Sequence, residues 1–205
     1  MVKLDMRAAL KPLYSPSARE ISTVEVPSLQ CLMIDGRGDP NTSEDYARSL
    51  EALYAVAYGL KFAAKKAGGD DWSVMPLECL WWSDEAGAFG GQGDRSSWQW
   101  TMLIAQPESV TPEHVRIAID QAARKRPSRA LQAIRLERLA EGLAAQILYT
   151  GPYADEDATI ARLHAWITDH GYAPQGKHHE VYLNDPRRTA PENLKTILRQ
   201  PIRSL

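Results

Sequence analysis

Residues 77–84 read LECLWWSD and residues 179–185 read HEVYLND, and the reading of these two stretches decides the fold. Each is a short run of apolar, aromatic and β-branched residues with a glutamate near its start and an acidic turn at its end, the composition of a strand. Side chains alternate along a strand, so Glu78, Leu80 and Trp82 share one face of the first. His178, Glu180 and Tyr182 share one face of the second.

Working outward, the neighbouring elements repeat in the same order. Residues 24–34 (VEVPSLQCLMI) predict a strand that ends at 35–40, where Arg37-Gly38-Asp39 reads as a turn. A helix follows, with Ser43 among its cap candidates and Glu44 and Asp45 in its first turn. Tyr46, Leu50, Leu53, Tyr54, Ala57 and Leu60 recur at helical spacing until Gly68-Gly69 ends the pattern. After the first glutamate strand, the Gly-rich segment 87–93 predicts a hairpin connection into 98–104 (WQWTMLI). It lacks the GK[ST] ending of a phosphate loop. Trp98, Trp100, Met102 and Ile104 share a face of that last strand.

The second half offers a strand at 145–150, a Gly151-Pro152 turn, a helix at 155–169, the second glutamate strand and a strand at 194–198. Between the halves lie a helix opening at Thr111-Pro112-Glu113, a basic connector at 124–129, and a helix or extended linker at 130–140. MLIAQP at 102–107 resembles TILRQP at 196–201, as the glutamate strands resemble each other. The fold predicted is α/β of the α+β kind: duplicated β-α-β-β units with pseudo-twofold symmetry framing a central ligand cleft. Residues 1–22 form an N-terminal extension and 23–205 the domain, with halves at about 23–110 and 140–205. Such symmetry would place the two glutamate strands in equivalent positions.

Composition narrows the function classes. A formal net charge of −2 supplies no field to hold nucleic acid or an anionic membrane, and the basic connector is short and lacks interleaved aromatics. No stretch approaches the roughly 18 apolar residues of a membrane span, and the first 22 residues lack the apolar centre of a secretory signal. Cys31 and Cys79 sit in apolar runs outside any CxxC pair, as buried thiols in a reducing compartment do, so the expected location is cytoplasmic. Nothing in the chain specifies its oligomeric state. Six Trp and eight Tyr against two Phe favour side chains with one polar edge, as a binding surface requires.

The residues that could carry chemistry follow. Glu78 and Glu180 lie inside apolar runs, where a carboxylate must be paired or face a cavity. Glu180, between His178 and Tyr182 on a polar and aromatic row, is the better placed for a cleft. A carboxylate among aromatic walls can bind an organic cation or act as a base. Tyr149, at a strand end before Gly151, offers a hydroxyl to a ligand or to backbone. His178 and His179 point to opposite faces, and no spacing resembles a metal site, a cofactor motif or a nucleophile template, so neither metal nor cofactor is expected.

These segments resemble the GyrI-like small-molecule-binding family. The resemblance is carried by 176–202 (GKHHEVYLNDPRRTAPENLKTILRQPI), 76–84 (PLECLWWSD), 97–107 (SWQWTMLIAQP) and 148–153 (LYTGPY), and it is to members that stand alone rather than to those fused to DNA-binding domains. It implies a cleft in which a glutamate, matched here to Glu180, and surrounding aromatics capture planar or cationic molecules. Trp82, Trp98, Trp100, Tyr149 and Tyr182 would supply wall or hydrogen bonds, with Glu78 and His178 beside them. It also implies, through some relatives, hydrolysis of cyclopropane-bearing genotoxic electrophiles; in such a reaction Glu180 would orient or deprotonate a water and Tyr149 would donate a hydrogen bond to the carbonyl that gains charge as the ring opens. The alternatives are a drug- or toxin-sensing or sequestering module without chemistry, and a protein-binding gyrase-inhibitor-like protein.

Overall fold

The computed structural model describes residues 3–84 and 95–205; the Gly-rich connection expected at 87–93 lies outside them. The strands are β1 (Lys3–Leu4), β2 (Ser22–Val26), β3 (Leu29–Arg37), β4 (Asp71–Trp72), β5 (Leu77–Trp82), β6 (Gln99–Ala105), β7 (Arg135–Leu139), β8 (Gly142–Thr150), β9 (Tyr172–Pro174), β10 (His178–Tyr182) and β11 (Lys195–Ser204). The helices are α1 (Met6–Ala9), α2 (Lys11–Tyr14), α3 (Glu44–Lys66), α4 (Pro112–Lys125), α5 (Arg129–Gln132) and α6 (Asp157–Asp169). Among the described residues no helix is long and apolar enough to cross a membrane.

One antiparallel sheet, in the order β2-β8-β11-β10-β5-β6-β3-β7, carries the molecule, and β9 pairs with the far end of β11. The order is symmetric about the β5–β10 pair: a β-α-β-β run, β3-α3-β5-β6 or β8-α6-β10-β11, lies on each side. The expected strand at 24–34 is two strands, because Pro27 lacks the N–H a continuous ladder needs. The chain changes partners there, β2 joining β8 and β3 joining β6 and β7. The linker at 130–140 is the short helix α5 and then β7.

Register decides which side chains meet. Glu180 stands opposite Cys79, and Glu78 opposite Val181. Directly paired residues share a face, so Glu78 and Glu180 point to opposite sides of the sheet. The strands are neighbours, but the offset that aligns the two glutamates in sequence puts them on different faces.

Helix α3 packs over the face that carries Trp81, Trp100 and Glu180. Ser43 caps it by accepting from the Tyr46 N–H, as its sequence signals indicate. Gly36 makes this face possible: a β-carbon there would lie 2.0 Å from the Trp100 ring that crosses it. The other face is covered by the N-terminal segment, whose Leu13 and Tyr14 are buried. The extension is thus part of the core's cover.

Candidate functional site

On the α3 side, the middle of the sheet and the inner sides of α3 and α6 enclose a cavity of about 2230 Å³ that continues along the helices. That exceeds the roughly 300–1,000 Å³ of a pocket for one drug-sized ligand, so there is room for an extended polycyclic molecule.

Its floor is β10. Alternation turns His178, Glu180 and Tyr182 into the cavity together, and pairing sets Trp81 of β5 beside them. The Tyr182 hydroxyl donates to Glu180 Oε2 at 2.6 Å and accepts from Trp81 Nε1 at 3.1 Å. His178 Nε2 lies 3.5 Å from Glu180 Oε1. The Glu180 side chain keeps 14% of its surface exposed, enough for a ligand or water to reach it. Burial, reinforced by the negative charge of Glu180, drives the Tyr182 phenol well above its ordinary pKa, so it stays a donor.

The walls are aromatic. Tyr46 from α3 stacks on Trp81 with ring centres 6.0 Å apart, and Trp98 meets Trp81 edge-on at 5.6 Å. Tyr153 meets Tyr182 edge-on at 5.6 Å. Glu156, just before α6, completes the polar end. Burial first, and then the charge of Glu180, push its pKa up to about 9, so it holds its proton at neutral pH. Burial and the neighbouring His178 lower the pKa of His164. Among the described residues no group of three His, Cys, Asp or Glu could hold a metal ion.

Glu180, His178, Tyr182 and Trp98, all expected at the site, line this cavity. The structure places the other four expected residues elsewhere. Trp100 is fully buried behind Tyr46, which it meets edge-on at 5.2 Å. The Tyr149 hydroxyl donates to the Pro152 carbonyl at 2.9 Å, closing the turn that carries Tyr153. Trp82 lies on the opposite face, with Lys177 Nζ 3.1 Å above its ring. Glu78 belongs to a buried ionic chain on that same face.

In that chain the Tyr14 hydroxyl donates to Glu78 Oε1 at 2.7 Å. His179 Nε2 makes an ion-pair contact with Glu78 Oε2 at 3.0 Å, short of hydrogen-bond geometry. His179 Nδ1 reaches Glu141 at 2.9 Å, and Arg199 Nη1 lies 3.9 Å from Glu141. Arg199 also donates to the Leu13 carbonyl at 2.6 Å and to Gln146 at 3.1 Å. Burial alone would lower the His179 pKa, but its carboxylate neighbours outweigh it and raise the value to about 9. Burial likewise opposes ionisation of Glu141, yet the charges of His179 and Arg199 hold it below the usual carboxylate range. This chain fastens the N-terminal segment to the sheet, and none of its residues lines the cavity.

Sequence reasoning missed Tyr46, Trp81, Tyr153 and Glu156. Tyr46 stood in the helical stripe of α3, and Trp81 is the neighbour of Trp82, on the alternate face of the same strand. Tyr153 and Glu156 follow the LYTGP turn directly, within reach of the strand end that drew attention to Tyr149.

An antiparallel sheet and two helices that enclose a deep aromatic cavity with a carboxylate on its floor define a small-molecule-binding domain. The chain belongs to the GyrI-like small-molecule-binding domain family, whose model matches residues 19–203. No curated protein matches it. A conserved protein from Listeria innocua has 35% identity and a TM-score of 0.89, with 98% of this chain and 100% of that one covered. A hydrolase from Listeria innocua has 34% identity and a TM-score of 0.86 over the same shares. The C-terminal domain of EcmrR shares the fold, at 11% identity and a TM-score of 0.58 over 91% of this chain and 98% of that one.

Proposed function

We propose that the cavity binds a planar, largely apolar electrophile and hydrolyses it, opening a cyclopropane ring conjugated to a carbonyl. The observation that carries this reading is Glu180, reachable at the floor of an aromatic cavity, held in place by the Tyr182 hydroxyl and with His178 Nε2 3.5 Å away. The resemblance to a Listeria innocua chain described as a hydrolase supports it. The aromatic walls would stack on the planar frame and exclude bulk water. Glu180 would take a proton from a water held against it, and the water oxygen would bond to the ring methylene. The carbon–carbon bond of the ring breaks as that bond forms. Its electron pair passes into the conjugated carbonyl, whose oxygen then takes up a proton. Every atom added is water's, so neither oxidant nor cofactor enters. Tyr149 acts in this account by positioning the turn that bears Tyr153.

A cyclopropane-bearing alkylating compound incubated with the protein in isotopically labelled water tests the proposal by mass spectrometry. The expected product has gained one water, with the label in it. A compound recovered unchanged, although its binding quenches tryptophan fluorescence, would instead establish a sequestering module.

A further inference from the structure

Glu156 is an acid at the start of a helix that does not behave as one. A carboxylate there ordinarily accepts from the first free N–H groups of the helix. The Glu156 side chain makes no such bond, is only 4% exposed, and forms part of the cavity wall. Its Oε1 is buried without a hydrogen-bond partner. Across from it the Thr196 hydroxyl is fully buried and also unpartnered, as are both ring nitrogens of His178. Thr196 favours the charged form of Glu156, but no full hydrogen bond joins them. Orphaned buried polar atoms are costly, on the order of 1–3 kcal/mol each, and several together around one wall are the mark of a site built for a polar group that arrives with a ligand.

We infer that Glu156 is a second carboxyl of the cavity, and that it donates a hydrogen bond to the carbonyl oxygen of a neutral planar ligand. The inference rests on the cavity being the ligand site and is independent of turnover. It assigns the two glutamates different work: Glu180 faces the ligand as an acceptor, Glu156 as a donor. A pair of ionised carboxylates would select organic cations. A neutral one beside an acceptor selects uncharged carbonyl compounds, because burying the carboxyl as an anion costs more than burying the acid.

The test compares fluorenone, fluorene (the same rings without the carbonyl) and the planar cation N-methylacridinium by equilibrium dialysis. The wild-type protein is expected to bind fluorenone about tenfold tighter than fluorene, the worth of one or two hydrogen bonds. Glu156→Gln, which keeps an N–H donor, should retain that preference, and Glu156→Leu should erase it. The wild-type preference should fade as pH rises through about 9, and that of Glu156→Gln should not. The titratable groups that act on Glu156 are Glu180 of β10, Tyr149 of β8, and Tyr153 and Asp157 beside α6, while His178, Tyr182, His164 and Tyr54 share the cavity lining with it. His179, raised to a similar value, is on the other face of the sheet, and comparison with Glu156→Gln removes its contribution.

An unchanged fluorenone preference in Glu156→Leu overturns the inference, as does wild-type protein that binds N-methylacridinium best or none of the three. Should Glu156→Leu fail to fold, a wild-type preference that does not fade through about pH 9 overturns it equally. Glu180→Gln separates the two accounts: it should lose turnover and keep the fluorenone preference.

Discussion

His179 and Glu180 are adjacent in sequence and serve unrelated ends, because a strand sends neighbours to opposite faces. His179 is a structural cation. Its pKa is raised from 6.5 to about 9, so its contribution to stability is complete below pH 6.5 and is lost as pH rises through about 9. Glu156, raised from 4.5, pulls in the same direction from lower pH upward, and a variant is needed to isolate His179. Urea unfolding across that window should show a loss on the order of a few kcal/mol in the wild type and a flatter profile in His179→Gln. A wild-type stability that rises over the window would contradict the assignment. The same chain makes Tyr14→Phe costly. It removes the 2.7 Å donor to a buried carboxylate oxygen of Glu78, and the unfolding free energy should fall by about 1–3 kcal/mol with ligand binding unaltered.

At the scale of the element, β5 separates two tryptophans that composition treats alike. Trp81→Leu should weaken binding of planar ligands at least about tenfold and remove much of the fluorescence quenching, since one stacked aromatic contributes roughly 0.5–1.5 kcal/mol beyond its buried area. Trp82→Leu, on the Lys177 side, should leave affinity within about twofold; an equal loss in both variants would show that the cavity is not where the ligand sits. On β3, Gly36→Ala forces a β-carbon into the Trp100 ring and should cost about 1–3 kcal/mol in urea unfolding. The strands themselves were legible, because their apolar runs and the turns that bound them are local signals. Alternation also grouped the side chains correctly within each strand, which is why Glu180, His178 and Tyr182 could be read together. Which group faces the cavity was not legible. That depends on the β5–β10 register, and a shift of one residue would exchange Glu78 for Cys79 opposite Glu180.

At the scale of the molecule, one sheet separates two kinds of polar interior. The face under α1 and α2 pairs its charges with one another, and the face under α3 and α6 leaves polar atoms unpartnered inside an aromatic cavity. Sequence alone suggested a single cleft for all the buried acids, since the N-terminal segment gave no sign that its Leu13 carbonyl and Tyr14 hydroxyl would meet Arg199 and Glu78. Such contacts join residues far apart in the chain and leave no local pattern. The overall architecture, by contrast, was legible from element order and from motifs that run across both halves. The central claim is that Glu180 is the reacting group of the cavity rather than another wall residue. The most direct measurement compares wild type and Glu180→Gln with a cyclopropane-bearing alkylating compound, reading dissociation constant and ring-opening rate on the same preparations. The account predicts a nearly unchanged dissociation constant and a rate lower by at least about a hundredfold, the lower end of what a general base contributes. Ring opening that proceeds equally fast in Glu180→Gln would contradict it.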